Sequence, residues 1–198
     1  MRYLNQLEYR HIKYFHNAEN GGPPEGRDNV ATSGCGLCST CMVVELLTDK
    51  EFPIEDCVKL SESCGGNHRI GTDMCFLGPA TAEKFGLAYK NTDSPEELLE
   101  HLRRGGMAVV HVGVREGEEY GLFTRRGHLM AVISADGDEV CILDPSYTPE
   151  KFTLPGREGK VNFASAPYLY CDIKTLDAET KPDRVSYHLF SRTKSGRK

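Results

Sequence analysis

The segment spanning residues 32–44 constrains the fold more than any other part of the chain. In this segment Cys35 lies between two glycines, after Thr32 and Ser33, which can cap a helix, and before a run that is apolar on several faces. This pattern predicts a buried central helix over residues 35–47 with Cys35 at its N-terminus. Unpaired backbone N–H groups and the positive end of the helix dipole favour a thiolate at such a position, so Cys35 is a candidate nucleophile.

Helix start and stop signals continue through the first half of the chain. Pro53 suits the first position of a second helix, and Thr72 with Asp73 opens a third helix that ends at Gly86. Ser94 begins a capping box ahead of a stripe of leucines, which predicts a fourth helix. The first half of the chain is therefore predicted to be helical.

After Gly106 the sequence changes from helical to strand-like periodicity. Asp136 and Gly137 form a dipeptide typical of the turn in a β-hairpin. Helices followed by an antiparallel sheet predict an α+β fold, with the Cys35 helix packed against the sheet. The predicted strands span residues 107–114, 128–135, 139–143, 168–173 and 185–191.

Length and composition are those of one globular domain. The chain has 198 residues, of which 39% are hydrophobic and 27% charged, and no repeat or linker divides it. We expect a single domain over residues 1–191, followed by a basic tail over residues 192–198. The net charge of -5 argues against a nucleic-acid partner, and no stretch approaches the ~20 apolar residues of a membrane span. The oligomeric state is left open.

The eight cysteines allow more than one interpretation. An even count suits a disulfide framework in a secreted protein, but a chain of this length does not need one. Most of the cysteines occupy apolar positions, which favours reduced thiols and a cytoplasmic location. A secreted or cell-surface protein whose signal segment has been removed is the alternative, so the compartment is left undecided.

Cys35, Cys38 and Cys41 have a spacing that also occurs in metal and iron–sulfur sites. On a helix, however, each step of three residues falls about 60° short of a full turn, which spreads the three sulfur atoms apart. We therefore expect no metal and no cofactor. Redox control of Cys35 by Cys38 is kept as a hypothesis.

The predicted hairpin brings two further chemical groups together. His128 begins its first strand and Asp144 follows its second, so both lie about equally far from the turn. The imidazole of His128 can take the proton of Cys35, and the carboxylate of Asp144 can orient the ring and stabilise its charge. Gln6 can donate an amide N–H to a developing oxyanion, alongside the backbone N–H of Cys35.

Four motifs, in this order, resemble a known family across residues 1–150. They are similar to the peptidase-like domains related to bacteriocin-processing double-glycine peptidases, a family of the papain-like cysteine peptidases. The resemblance implies a papain-like fold in which Cys35 is the nucleophile, His128 the base, Asp144 the orienting acid and Gln6 the oxyanion donor. The motifs are Tyr3-Leu4-Asn5-Gln6, Ser33-Gly34-Cys35-Gly36, the run from Phe123 through Gly127-His128 to Val132, and Leu143-Asp144-Pro145.

We therefore predict a cysteine peptidase or amidase that cleaves a peptide or isopeptide bond through a thioester on Cys35. Its substrate would be a peptide or a protein, and acyl transfer from the same thioester is left open. A non-catalytic peptide-binding domain of the same fold is a second interpretation, and a thiol-rich metal or redox protein is a third. The loops over residues 17–29 and 115–126 are expected to shape the mouth of the cleft, with His68 as a possible substrate contact, whereas His111 is expected to be structural.

Overall fold

The computed structural model describes residues 2–15, 28–67, 71–180 and 184–193. These residues form six α-helices. None of them is long and apolar enough to cross a membrane. The helices are α1 (Val30–Ser33), α2 (Cys35–Thr48), α3 (Ile54–Ser63), α4 (Met74–Phe85), α5 (Pro95–Arg103) and α6 (Ile173–Asp177).

The described strands form one seven-stranded sheet in the order β1-β7-β2-β3-β4-β6-β5, and every neighbouring pair is antiparallel. The strand that comes last in the chain, β7, therefore lies inside the sheet. The strands are β1 (Leu87–Thr92), β2 (Met107–Val112), β3 (His128–Asp136), β4 (Glu139–Leu143), β5 (Asn162–Ser165), β6 (Tyr168–Asp172) and β7 (Tyr187–Arg192).

Helices cover both faces of the sheet. Alternate residues of a strand point to opposite faces, and Val109 packs with α2, α3 and α4, while its neighbours Ala108 and Val110 pack with α5 and α6. Strand β3 divides in the same way, with Ala131 on the first face and Met130 on the second. The predicted α+β fold is confirmed, but α5 lies on the face opposite the nucleophile helix, so the molecule has three layers.

The start of α2 differs from the prediction in one respect. Thr32 and Ser33 belong to α1, and Gly34 is the N-cap of α2 without a side-chain cap hydrogen bond. The N–H of Gly34 donates to the carbonyl of Val30 at 2.7 Å. The chain thus enters α2 directly from a helical turn, and the expected capping by Thr32 or Ser33 is wrong.

The predicted helical first half of the chain also contains one strand, β1. This strand pairs along its whole length with β7, about a hundred residues later, and a pairing of that range leaves no local pattern. The predicted strand over residues 185–191 starts at Tyr187 instead and extends to Arg192, one residue into the predicted tail. Lys194, Arg197 and Lys198 lie outside the described residues.

Candidate active site

Cys35 is the first residue of α2 and is partly exposed. Two contacts set its position relative to the sheet. The Ser39 hydroxyl donates to the carbonyl of Leu129 on β3 at 3.1 Å, and Gly36 lies so close to β3 that an added Cβ would be 2.8 Å from Leu129 Cδ1 and 2.7 Å from Thr72 Cβ. Glycine at position 36 therefore lets α2 approach the strand that begins at His128.

His128 and Asp144 meet as the hairpin predicts. Nε2 of His128 and Oδ1 of Asp144 are 2.7 Å apart, and both residues are buried. The side chain of His128 is also hydrogen-bonded to that of Cys35. The structure thus brings Cys35, His128 and Asp144 together in one chain of contacts.

Two residues that the sequence analysis did not single out complete this cluster. The Ser146 hydroxyl lies 3.1 Å from both His128 Nε2 and Asp144 Oδ1, and the Ser146 backbone N–H donates to Asp144 Oδ1 at 2.8 Å. Lys151 Nζ donates to Asp144 Oδ2 at 2.5 Å and to the Ser146 hydroxyl at 2.8 Å. Ser146, two residues after Asp144, carries a turn signal, whereas nothing near Lys151 in the sequence points to the site.

The charges of the cluster favour a thiolate and an imidazolium. Burial raises the pKa of Cys35, but the hydrogen bond with His128 and its charge outweigh burial and lower the pKa below the ordinary value. Burial lowers the pKa of His128, but the Asp144 carboxylate overcomes it and the net shift is upward. Although burial opposes this, the charges of Lys151 and His128 hold the pKa of Asp144 well below its usual range. The proton of Cys35 is therefore drawn toward His128.

Gln6 reaches the same site through the N-terminal segment. Its backbone N–H donates to the carbonyl of Pro145 at 2.7 Å, and the Tyr3 hydroxyl donates to the carbonyl of Asp144 at 2.5 Å. The side chain of Gln6 is buried, and its Nε2 donates to the carbonyl of Ala31 at 2.9 Å. An amide nitrogen has two N–H donors, so one remains after this bond.

These residues line an open cleft of about 570 Å³. Cys35, His128, Ser146 and Gln6 are part of its wall. Residues 124–126 of the predicted mouth loop also line it, whereas most of the other predicted mouth loop, residues 17–29, lies outside the described residues. The nucleophile candidate is thus accessible to a substrate from solvent.

The remaining candidates have different surroundings. His111 also lines the cleft from mid-strand β2, and His68 lies outside the described residues. Cys38 and Cys41 are fully buried, and burial raises the pKa of both thiols well above the ordinary value, which disfavours redox exchange with Cys35. All eight cysteines are free thiols, and no cluster of potential metal ligands occurs among the described residues.

No protein-family model matches the chain, and no curated protein matches it by sequence. Solved structures do match. The peptidase domain of Streptococcus ComA, a bifunctional ABC transporter involved in a quorum-sensing pathway, has a TM-score of 0.53 at 14% identity, covering 91% of this chain and 99% of that one. A protein from Bacillus anthracis described as a C39-like peptidase has a TM-score of 0.55 at 14% identity. The match covers 82% of this chain and 90% of that one. The chain has the papain-like fold of C39 peptidase domains.

The C39 peptidase fold agrees with the resemblance seen in the sequence motifs. At 14% identity the likeness concerns the arrangement of helices and sheet, and the roles of individual side chains have to be argued from this chain.

Proposed function

We propose that the protein is a cysteine peptidase that hydrolyses a peptide or isopeptide bond through a thioester on Cys35. The observation that carries the proposal is the position of His128, whose Nε2 lies 2.7 Å from a buried carboxylate and whose side chain is hydrogen-bonded to Cys35. A non-catalytic binding domain would have no use for a thiol with a lowered pKa in an open cleft.

The reaction begins with Cys35 as a thiolate and His128 as an imidazolium. The thiolate of Cys35 attacks the carbonyl carbon of the scissile bond, and the electron pair of the C=O bond moves onto oxygen. The imidazolium of His128 then gives its proton to the leaving nitrogen as the C–N bond breaks, which leaves a thioester on Cys35 and a free amine. His128, now neutral, takes a proton from the water molecule that attacks the thioester carbonyl. The C–S bond then breaks, which releases the acid product and restores the Cys35 thiolate beside the His128 imidazolium.

Asp144 and Gln6 have supporting roles in this mechanism. Asp144 fixes the orientation of the His128 ring and stabilises its positive charge. The free N–H of Gln6, together with the backbone N–H of Cys35, stabilises the oxyanion of the tetrahedral intermediate. The bond from Gln6 to the carbonyl of Ala31 holds the amide in place, so little reorganisation is required during the reaction.

The first test is the pH dependence of iodoacetamide labelling at each cysteine, measured by peptide mass spectrometry for the wild type and for His128→Ala. We expect Cys35 to react at mildly acidic pH in the wild type and to lose this reactivity in His128→Ala. Exposed Cys75 in α4 is the internal control, because its labelling should not depend on His128. Equal rates at Cys35 and Cys75 in both proteins would contradict the proposal.

Hydrolysis itself requires a second test with a peptide library prepared from a proteome. Cleavage by the wild type should disappear in Cys35→Ala and persist in the control Cys75→Ala. If Cys35 is highly reactive but the library remains intact, a binding domain replaces the peptidase as the best interpretation.

A further inference from the structure

We propose that the cleft selects substrates that carry acidic side chains beside the scissile bond, and that Arg125, Arg126 and Arg184 bind their carboxylates. The proposal rests on the peptidase function proposed above, whose substrate class it specifies. All three arginines line the cleft that contains Cys35 and His128, and all three are exposed.

The sheet brings these arginines together from distant parts of the chain. Arg125 and Arg126 lie three and two residues before the start of β3, and Arg184 lies three residues before the start of β7. Strands β3 and β7 flank β2, and both are antiparallel to it. They therefore run in the same direction, and their first residues lie at the same end of the strands. His128, the first residue of β3, lies at this end beside Cys35.

The segment that carries Arg184 is fixed to the cleft wall. The backbone N–H of His111, itself a cleft residue, donates to the carbonyl of Ser186 at 2.8 Å, and the N–H of Ser186 donates to Asp93 Oδ1 at 2.8 Å. His111 and Arg184 also line an adjoining cavity of about 260 Å³ between α4 and the sheet. Arg184 can therefore bind a substrate side chain that extends from the cleft toward this cavity.

Within the described part of the chain, no carboxylate on the cleft wall offsets its positive charge, although Asp73 lines the adjoining cavity. None of the described residues that line the cleft is an aspartate or a glutamate. The three arginines form no ion pair with any carboxylate in the described ranges, whereas Arg115, earlier in the same loop, is paired with buried Glu179 at 2.5 Å. The guanidinium of Arg125 instead lies 6.0 Å from the centre of the Tyr120 ring.

This local positive charge contrasts with the net charge of the whole chain, which is -5. A concave surface lined by one sign of charge concentrates ligands of the opposite sign, even on a molecule whose net charge would repel them. Arginine also binds carboxylates in a bidentate geometry that a general cationic surface does not provide. The cleft therefore favours an acidic peptide over a neutral or basic one.

The experiment compares the rates at which iodoacetate and iodoacetamide alkylate Cys35, since these reagents differ mainly in charge. In each case the thiolate displaces iodide and forms one C–S bond. We expect the ratio of the iodoacetate rate to the iodoacetamide rate to fall about threefold in Arg126→Gln and in Arg184→Gln, the effect of losing one solvent-exposed ion pair. The ratio should also fall with increasing salt in the wild type.

Arg104→Gln is the matched control, because Arg104 is the exposed C-cap residue of α5 and pairs with Glu100 of that helix. This variant loses the same charge far from the cleft and should leave the ratio unchanged. A ratio that is the same in the wild type, both cleft variants and the control overturns the proposal, and so does an equal fall in all three variants.

The peptide library then separates this inference from the peptidase function. Enrichment of Asp and Glu at internal positions near the cleavage site, lost in Arg126→Gln and Arg184→Gln, supports the proposal. Cleavage without acidic enrichment overturns the substrate class and leaves the peptidase intact. Cleavage confined to the last bond of the peptides would assign the bound carboxylate to the chain terminus and also overturns it. An intact library with a charge-dependent alkylation ratio would overturn the peptidase function alone.

Discussion

At the scale of residues, the candidate site depends on the charge balance around His128. The ring touches Cys35 on one side and Asp144 on the other, and the carboxylate also binds Lys151. Lys151 lowers the pKa of both Asp144 and His128, whereas Asp144 raises the pKa of His128. The buried carboxylate is thus held ionised by one cation while it stabilises the charge of another.

Asp144→Asn tests this balance. Without the carboxylate, burial lowers the pKa of His128, the imidazolium no longer stabilises the thiolate, and labelling of Cys35 should begin at a higher pH. Peptide cleavage should fall by on the order of 10²–10⁴-fold, the usual contribution of an acid–base group. An NMR titration of the His128 ring protons in both proteins measures the shift directly.

Ser146→Ala is the control for this change, since Ser146 contacts the same two atoms without carrying a charge. Its effect on the His128 titration should be smaller.

The lowered pKa of Asp144 stabilises the folded protein at pH values above 3.8, the ordinary pKa of an aspartate, and this stabilisation is lost as the pH falls further. The wild type and Asp144→Asn should therefore converge in unfolding free energy under acid conditions. A His128 titration that is identical in the wild type and Asp144→Asn would contradict the assigned roles.

At the scale of elements, the distance between α2 and β3 decides whether Cys35 and His128 meet. The sequence correctly predicts both elements and the residue that begins each of them. It does not predict their close approach, which depends on the small side chain at position 36 and on the hydrogen bond from Ser39 to Leu129. Close packing of this kind is a property of facing surfaces, so it has no signature in either segment alone.

Gly36→Ala should separate the two elements. The added methyl group would lie within 3 Å of both Thr72 and Leu129, so one of the flanking segments has to move. We expect a loss of about 1–3 kcal/mol in the free energy of unfolding, as for other overpacked sites. Labelling of Cys35 at mildly acidic pH should slow as well, because the thiol moves away from His128.

Urea unfolding and iodoacetamide labelling measure the two effects. Ser63→Ala, on the exposed end of α3, is the matched control and should change the free energy of unfolding by less than about 0.5 kcal/mol. If Gly36→Ala is as stable and as reactive as this control, the close approach does not matter for the site.

At the scale of the whole molecule, β7 links the C-terminal part of the described chain to strands near its middle. It lies between β1 and β2 in the sheet, and its residues Leu189 and Phe190 are buried on opposite faces. Arg192 at its end donates from Nε to the carbonyl of Leu47 in α2 at 2.5 Å. We therefore propose that residues 2–193 fold as one cooperative domain.

Two shortened chains test this proposal. A chain that ends at residue 193 should unfold with the same free energy as the full chain, within about 0.5 kcal/mol. A chain that ends at residue 186 lacks β7, leaves β1 and β2 without their shared neighbour, and should not fold. Circular dichroism during heating compares the three proteins. A cooperative transition in the shorter chain would show that β7 is not required for folding.

The sequence by itself determined the local features of this protein. Turn residues and periodicity depend on neighbours within a few positions, and they correctly predicted α2, the hairpin that carries His128 and Asp144, and the α+β class. Only the tertiary structure decided the strand β1, the placement of α5 on the second face, the contact of Lys151 with Asp144 and the position of Arg126 and Arg184 on the wall of one cleft. Each of these depends on segments that are distant in the sequence, and their proximity is set by the packing of the whole sheet rather than by any local preference.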